Sequence, residues 1–350
     1  MSKLFKWLLN LIVVGISTIG LAFANVDLQS LTLTMTNDPS KNSIQVYDTS
    51  THALLQTIAT NGKGGVSNNA FGIKQYNNLF FAAANNGSNS VTVFQRYGNN
   101  IVLWKVVTTT SAPVSIDFGH GHMYVAGATT VDSYSLHNDL ARDGTANLVL
   151  TEGGTPPLGS TSQVGVVQNK LLVTLKTDPS PGTVDIISLN NGGAISGTVK
   201  PVAGPTGSQT PFGFTVFNDG SSLITLAHSN QLGLFRNDMF VDVIQSGQNA
   251  PCWATHDGKY VFVVNAASHT VSRLITTGQN IFIDAEVAAS IKSGSPTDTD
   301  QNDHTLVVLD HTTTSHLNFF SIDPFGELQA QGTPLDLGVA NANGVALMAP

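Results

Sequence analysis

The sequence predicts an all-β protein, a seven-bladed β-propeller with four-stranded blades. Three observations lead to this prediction. Short runs of β-branched and aromatic residues alternate with turns rich in Asn, Asp, Gly and Ser. Charged residues make up only 11% of the 350 residues, against roughly 25% in ordinary soluble proteins. A unit of three short strands also recurs along the chain, which is typical of repeat architectures.

The unit is clearest in residues 250–273, APCWATHDGKYVFVVNAASHTVSR. A short apolar run opens at Pro251, and an Asp-Gly turn at residues 256–258 leads into the apolar strand 260–264. A second turn of Asn, Ser and His residues precedes a third strand that begins at Val271. Strands joined by such turns predict a β-meander.

Equivalent units follow one another along the whole chain. Their third strands open at Ile44, Val91, Val131, Val184, Leu232, Val271 and Leu317, which lie 39 to 53 residues apart. A four-stranded propeller blade takes about 40–50 residues. The sequence therefore predicts seven blades, all within one domain that covers residues 25–350.

The first unit lacks its first strand. Residues 31–36 resemble a second strand, and residues 43–48 resemble a third strand. The segment NGVALM at residues 343–348 resembles the opening strand of a blade. We therefore expect the N-terminal and C-terminal segments to share one blade, which closes the ring and removes free sheet edges.

Residues 1–24 differ from the rest and predict a secretory signal. Lys3 and Lys6 precede an apolar run over residues 8–23, and Ala22-Phe23-Ala24 matches the small-residue pattern of a signal-peptidase site. The alternative is an uncleaved anchor, although the run is shorter than the ~20 residues that a membrane span needs. The expected location is secreted or periplasmic.

Composition disfavours several classes of function. The net charge is −8, only four arginines occur, and no basic cluster follows residue 24, so nucleic acid is not an expected partner. Cys252 is the only cysteine, which excludes an intrachain disulfide and a cysteine-rich metal site. No metal or other cofactor is expected.

The repeats resemble a known family. The segments VFVVNAASHTVS (261–272) and FFAAANNGSNSVTVF (80–94) are similar to the YVTN-type repeat. In their order, residues 163–176, 210–228 and 250–265 resemble secreted lactonase-like propellers, which are relatives of 6-phosphogluconolactonases and carboxymuconate cyclases. The resemblance implies a seven-bladed ring and a lactone hydrolase or cyclase that uses His, Arg and acidic residues near the channel. The inner strands here carry Ser115, Gln163, Gly213 and Trp253 where such a set would be sought.

Propeller topology sorts the candidate catalytic residues onto one face. Connections between blades share a face with the turns between second and third strands, and loops on a rigid ring commonly bind ligands. Lactone hydrolysis needs a base for water and a donor to the carbonyl oxygen. Glu152 or Asp298, both expected in connections between blades, is the candidate base, and His228 or Lys176 is the candidate donor. Asp300 is expected beside Asp298.

Aromatic and amide side chains supply the candidate substrate contacts. Phe71, Phe212 and Trp253 open inner strands, where they either stack on a ligand at the channel mouth or pack between blades. Gln163 and Asn343 lie at similar positions. Glu152 and Trp253 are expected on the same rim of the channel.

His120 and His122 resemble a pair of metal ligands, but they lie in a turn between first and second strands. That turn lies on the face opposite the expected site. Two local ligands are fewer than a zinc site needs, so a plain solvated turn is the alternative.

Two functions remain open from the sequence, besides a structural repeat protein that binds no small ligand. One is a metal-independent lactone hydrolase or cyclase that acts at the channel mouth. The other is a non-catalytic propeller at the cell surface that binds a small ligand or a protein partner. Converging charged groups at the mouth would favour the enzyme, and an exposed apolar patch would favour a protein partner.

The signal prediction can be tested on exported protein. Cleavage after Ala24 gives a mature chain that begins near Asn25, because signal peptidase cuts after small residues. Amino-terminal sequencing of protein from the culture medium or periplasm measures this directly. Protein that retains Met1 in the membrane fraction would contradict the prediction.

Overall fold

Seven antiparallel sheets stand in a ring around a central channel, as the repeat predicts. The structure is a computed structural model that describes residues 28–149, 161–176, 182–256, 258–302 and 304–350. The predicted signal segment and Glu152 lie outside the described residues. Each of the seven positions that mark a third strand lies in the third strand of its blade.

All strands are numbered in chain order. The last strand, β29, belongs to blade 1 together with the first three strands. Blade 1 contains β1 (Leu31–Met35), β2 (Ser43–Asp48), β3 (Leu54–Ala59) and β29 (Asn343–Met348). Blade 2 contains β4 (Ile73–Tyr76), β5 (Phe80–Asn85), β6 (Ser90–Tyr97) and β7 (Asn100–Thr108). Blade 3 contains β8 (Pro113–Gly119), β9 (His122–Gly127), β10 (Thr130–Ser135) and β11 (Ala141–Asn147). Blade 4 contains β12 (Thr161–Val167), β13 (Lys170–Leu175), β14 (Thr183–Leu189) and β15 (Ile195–Ala203).

The last three blades follow the same order. Blade 5 contains β16 (Pro211–Val216), β17 (Ser222–Leu226), β18 (Gln231–Arg236) and β19 (Met239–Gln245). Blade 6 contains β20 (Pro251–His256), β21 (Val261–Asn265), β22 (Thr270–Thr277) and β23 (Asn280–Ser290). Blade 7 contains β24 (Ser295–Asn302), β25 (Thr305–His311) and β26 (Ser315–Ile322), and two short strands, β27 (Leu328–Ala330) and β28 (Leu335–Asp336), share its outer position.

The inner strands β4, β8, β12, β16, β20, β24 and β29 surround the channel, and each contacts the inner strands of its neighbours. Several of them begin with a β-bulge, for example between Pro113 and Ser115 and between Pro251 and Trp253. A bulge at the same level sharpens the twist of each strand as it enters the channel. All inner strands start on one face of the ring and end on the other. We call the face where they start the upper face and the opposite one the lower face.

Both chain ends meet in blade 1, which confirms the predicted closure. Strand β29 pairs antiparallel with β1, with Leu31 opposite Met348 and Leu33 opposite Ala346. The Thr34 hydroxyl donates to the Gly344 carbonyl at 2.8 Å. Arg96 donates to the carbonyls of both Gln29 and Ala349, so blade 2 holds the two terminal segments together.

Turn residues adopt the backbone that their chemistry favours. Asn77 and Asn78 join β4 to β5 with φ of 53° and 57°, the pair of positive values that a type I′ hairpin turn requires. Two short 3₁₀ helices, Asn86–Ser88 and Ala227–Ser229, fill the turns between the second and third strands of blades 2 and 5. Each ends at a left-handed asparagine, Asn89 or Asn230. Asparagine tolerates this conformation because its side chain bonds locally.

The core lies between blades, because each sheet buries both of its faces. In β5, Phe81 and Ala83 pack towards blade 1, whereas Ala82 and Ala84 pack towards blade 3. All four side chains are fully buried. Continuous apolar runs such as FFAAA therefore form central strands even though they lack polar alternation. No helix in the described residues is long and apolar enough to cross a membrane.

Removing residues 343–350 should destabilise the whole ring. The truncation exposes the β1 edge and deletes Val345, Leu347 and Met348, each no more than 2% exposed. Loss of one buried Leu or Met side chain alone costs about 2–5 kcal/mol. The shortened chain should melt at least ~10 °C below the full chain or aggregate. Removal of the exposed Pro350 alone is the control, and equal melting temperatures for all three proteins would contradict the closure.

Candidate functional site

A cavity of about 610 Å³ opens on the upper face, where the inner strands begin. It is lined by residues from connections between blades and from turns between second and third strands, as the topology predicts. The lining side chains include Asn37, Asn68, Lys176, Phe212, His228, Trp253, His311 and Asn343. None of the described residues that line it is acidic. We call this space the upper cavity.

Lys176 follows β13 at the edge of the upper cavity. Its ammonium group donates to the backbone carbonyls of Asn68 and, at 3.3 Å, Ser67, which lie between blades 1 and 2. Its Nζ also lies 6.0 Å from the centre of the Phe212 ring. Burial lowers the pKa of Lys176 to about 8, because the charged form loses hydration. Both the charged and the neutral form of the amine are therefore populated around pH 8.

Two histidines share this cavity. His228 lies in the 3₁₀ turn after β17, and His311 ends β25 in blade 7. The Nδ1 atom of His311 is buried and has no hydrogen-bond partner among the described residues. The two ring nitrogens of an imidazole can donate and accept hydrogen bonds, so both side chains offer polar contacts to a molecule in the upper cavity.

Phe212 and Trp253 form the apolar wall of the upper cavity. Their rings meet edge to face, with centroids 5.5 Å apart and an interplanar angle of 86°. They are only 5% and 6% exposed, so most of each ring packs between blades and a narrow edge borders the cavity. The Trp253 Nε1 donates to the Asn69 carbonyl at 2.9 Å, which fixes the indole.

Buried polar side chains form the floor. Asn343 Nδ2 donates to Asn69 Oδ1 at 3.0 Å, and Asn69 Nδ2 donates to the Val114 carbonyl at 2.7 Å. Asn343 Oδ1 is buried without a partner among the described residues. Asn69 thus joins the terminal strand, blade 3 and Trp253 at the axis, and Asn343 presents an unbonded acceptor beneath the cavity.

Asp298 lies in the inner strand β24, and not in a connection between blades as the sequence suggested; Asp300 lies in the same strand. The polar run TDTDQN was misread because it lacks the apolar alternation of the other strands. Asp298 is 1% exposed, and burial raises its pKa well above the ordinary value despite opposing backbone NH groups. Asp298 is not among the residues that line the upper cavity, and its role as the base stays a prediction.

Two further predicted site residues do not lie at the upper cavity. Phe71 and Gln163 line a second cavity, at the lower end of the channel. Both polar atoms of the Gln163 side-chain amide bind the backbone of Phe214 in the next blade, with Nε2 donating at 2.8 Å and Oε1 accepting at 2.7 Å. Gln163 therefore ties blade 4 to blade 5. The expected pairing of Glu152 with Trp253 stays a prediction.

The prediction that the turn around His122 is solvated is wrong at this residue. Its ring is buried, with Nε2 2.8 Å from Asp143 Oδ2 and Nδ1 2.9 Å from the His120 carbonyl. His120 in turn contacts the Gln168 carbonyl of blade 4 at 2.5 Å. The pair links strands and blades, and no three His, Cys, Asp or Glu side chains cluster for a metal ion in the described ranges.

Sequence reasoning missed several lining residues. Asn37, Ser67 and Asn68 belong to stretches around blade 1 that carry no motif, and only the convergence of loops at the upper face identifies them. The lower cavity was not predicted as a site: Phe71 and Gln163 were expected at the channel mouth, and Lys74 and Asp117 lie within inner strands and carry no motif.

Comparisons with solved structures agree with this architecture. The chain has the fold of lactonase-like propellers. A protein described provisionally as a 6-phosphogluconolactonase, from Bacteroides fragilis, matches with a TM-score of 0.66 and 13% identity over 93% of this chain and 99% of its own. The periplasmic gluconolactonase of Pseudomonas aeruginosa matches with a TM-score of 0.65 and 14% identity over 92% and 99%.

Virginiamycin B lyase from Staphylococcus aureus also matches, with a TM-score of 0.57 and 17% identity over 81% of this chain and 92% of that protein. No family model and no curated protein matches the sequence. At these identities the likeness establishes the fold alone, and the same ring carries both a lactonase and a lyase.

The low pKa of Lys176 can be measured directly. Acetylation by N-hydroxysuccinimide acetate, followed by peptide mass spectrometry, should show reaction at Lys176 rising around pH 8. Free lysine side chains titrate near ~10.4, because they keep full hydration. The ε-amino group of N-acetyl-lysine under the same conditions supplies the reference profile. A Lys176 profile that coincides with the reference would contradict the burial argument.

Proposed function

We propose that this protein is a metal-independent lactone hydrolase of the periplasm or extracellular space, acting in the upper cavity. The observation that carries the proposal is the convergence of Lys176, His228 and His311 on one cavity whose described lining contains no carboxylate. The expected location is supported by the predicted signal sequence and by the periplasmic gluconolactonase of the same fold.

The reaction needs water activation and stabilisation of an oxyanion. A neutral imidazole of His228 takes a proton from water, or Glu152 does so, and the resulting hydroxide attacks the lactone carbonyl. The Lys176 ammonium, held by the Ser67 and Asn68 carbonyls, donates to the oxygen that becomes negative. The ring C–O bond then breaks, the ring oxygen accepts a proton, and a hydroxy acid leaves.

The ligand size follows from the cavity. About 610 Å³ accommodates a monocyclic or small bicyclic lactone together with water. The edges of Phe212 and Trp253 contact its apolar face, and Asn343 and Asn68 offer amide groups to its hydroxyls. The small-molecule ligand at the channel mouth is part of the proposal, and no protein partner is required.

A panel of lactones, including glucono-δ-lactone and γ-butyrolactone, tests the activity by proton release in a pH-stat. Lys176→Met should lower kcat/KM by about 10²–10³, the usual loss when one donor to an oxyanion is removed. His228→Gln and Glu152→Gln should identify the base, with a loss of about 10²–10⁴ for the residue that transfers the proton. Lys41→Met, on an exposed loop, is the matched control and should leave turnover unchanged.

One result separates the two readings left open by the sequence. A lactone that binds with an affinity sensitive to Lys176→Met, but is not turned over, would reject the hydrolase and favour a binding propeller. Turnover equal to wild type in the Lys176, His228 and Glu152 variants would place the reaction elsewhere on the molecule.

A further inference from the structure

The channel holds a second cavity, of about 290 Å³, at its lower end. Inner strands of blades 2 to 7 surround it, and most of its lining is polar. Its lining side chains include Phe71, Lys74, Asp117, Gln163, Thr215, Thr255, His256, Asp300 and Gln301. We call this space the lower cavity, and it is distinct from the upper cavity.

Two carboxyl groups face the lower cavity from blades 3 and 7. Asp117 Oδ2 accepts the Val166 NH at 2.7 Å, and Asp300 Oδ2 accepts the Leu347 NH at 2.9 Å. One oxygen of each is thus held by the next blade, which fixes the orientation of the carboxyl. Burial raises the pKa of both groups, and the positive charge of Lys74 acts in the opposite direction.

A lysine and an amide complete the set. Lys74 Nζ lies 3.9 Å from the centre of the Phe71 ring and makes no hydrogen bond or ion pair with a described residue. The amide nitrogen and oxygen of Gln301 are both buried and also lack partners in the described part of the chain. Buried amide groups are normally bonded, so this one calls for a bound molecule or ordered water.

The charges restrict the kind of molecule. An anion would meet the carboxyls of Asp117 and Asp300 as well as Lys74, and a metal ion or organic cation would meet the ammonium of Lys74. A neutral molecule with several hydroxyl groups avoids both conflicts. Each hydroxyl can donate to a carboxylate or amide oxygen and accept from an ammonium or amide hydrogen.

We infer that the lower cavity binds a neutral polyol of monosaccharide size. Lys74 and the Gln301 amide donate to its hydroxyl oxygens, while Asp117, Asp300 and the Gln301 oxygen accept from its hydroxyl hydrogens. Phe71, which is 8% exposed, adds an apolar edge to this lining next to Lys74. The volume suits one six-membered ring with its hydroxyls.

The test uses the full mature chain with myo-inositol and D-glucose as neutral probes, and with potassium gluconate and choline chloride as charged ones. Saturation-transfer NMR and isothermal titration calorimetry measure binding. At least one neutral probe should bind below about 20 mM, and Gln301→Leu should weaken it by about tenfold or more. Lys74→Met, which keeps the contact with Phe71, should weaken it similarly. Lys176→Met, in the upper cavity, should leave the affinity within about twofold.

Several outcomes would overturn the inference. Absence of binding by both neutral probes up to about 20 mM would do so, as would binding unaffected by both Gln301→Leu and Lys74→Met. Binding lost in Lys176→Met but kept in Gln301→Leu would place the polyol in the upper cavity. Stronger binding of gluconate or choline than of either neutral probe would reject the neutral class. Matching melting temperatures of the variants and wild type establish that each variant is folded.

Discussion

The whole structure depends on the antiparallel pairing of β29 with β1. Each sheet of the ring buries both of its faces against neighbouring blades, so an open ring would expose one complete face at each end. At this seam the exposed surface would include Tyr47, Val307, Leu309, Leu317 and Val345, which are at most 4% exposed. No disulfide reinforces the closure, because Cys252 is the only cysteine. Strand pairing, the side chain of Arg96 and apolar packing hold the ends together.

Closure also creates both cavities. The inner strands of neighbouring blades are not paired edge to edge, and side chains therefore connect them. Gln163 binds the backbone of Phe214, Asp117 binds that of Val166, and Asp300 binds that of Leu347. The polar residues at the axis thus have a structural role before any chemical one. Residues far apart in sequence, such as Asn68, Lys176 and His311, meet at the upper face only because the ring brings their loops together.

The fold could be predicted because it is encoded locally and repeatedly. Asn77 with Asn78, Asn89 and Asn230 mark turns through their own backbone preferences, and His120 and His269 adopt the same positive φ at equivalent turns of blades 3 and 6. Topology then placed Lys176, His228, Phe212, Trp253 and Asn343 around one cavity. Burial and partners could not be predicted in this way. The run around Asp298 was read as a connection, because TDTDQN lacks the apolar alternation of the other strands. His122 and Gln163 likewise owe their roles to neighbours in space.

The two ends of the channel differ in charge for a physical reason. The chain has 23 acidic and 15 basic residues, yet the described lining of the upper cavity contains a lysine, two histidines and no acid. A carboxylate beside Lys176 would raise the pKa of the amine again, so the absence of acids in that lining preserves its low value. At the lower end, burial raises the pKa of Asp117 and Asp300, and the neighbouring Lys74 acts in the opposite direction. A titratable amine suits proton transfer and oxyanion stabilisation, whereas a balanced set of fixed donors and acceptors suits recognition. This contrast is why we assign chemistry to the upper cavity and binding alone to the lower one.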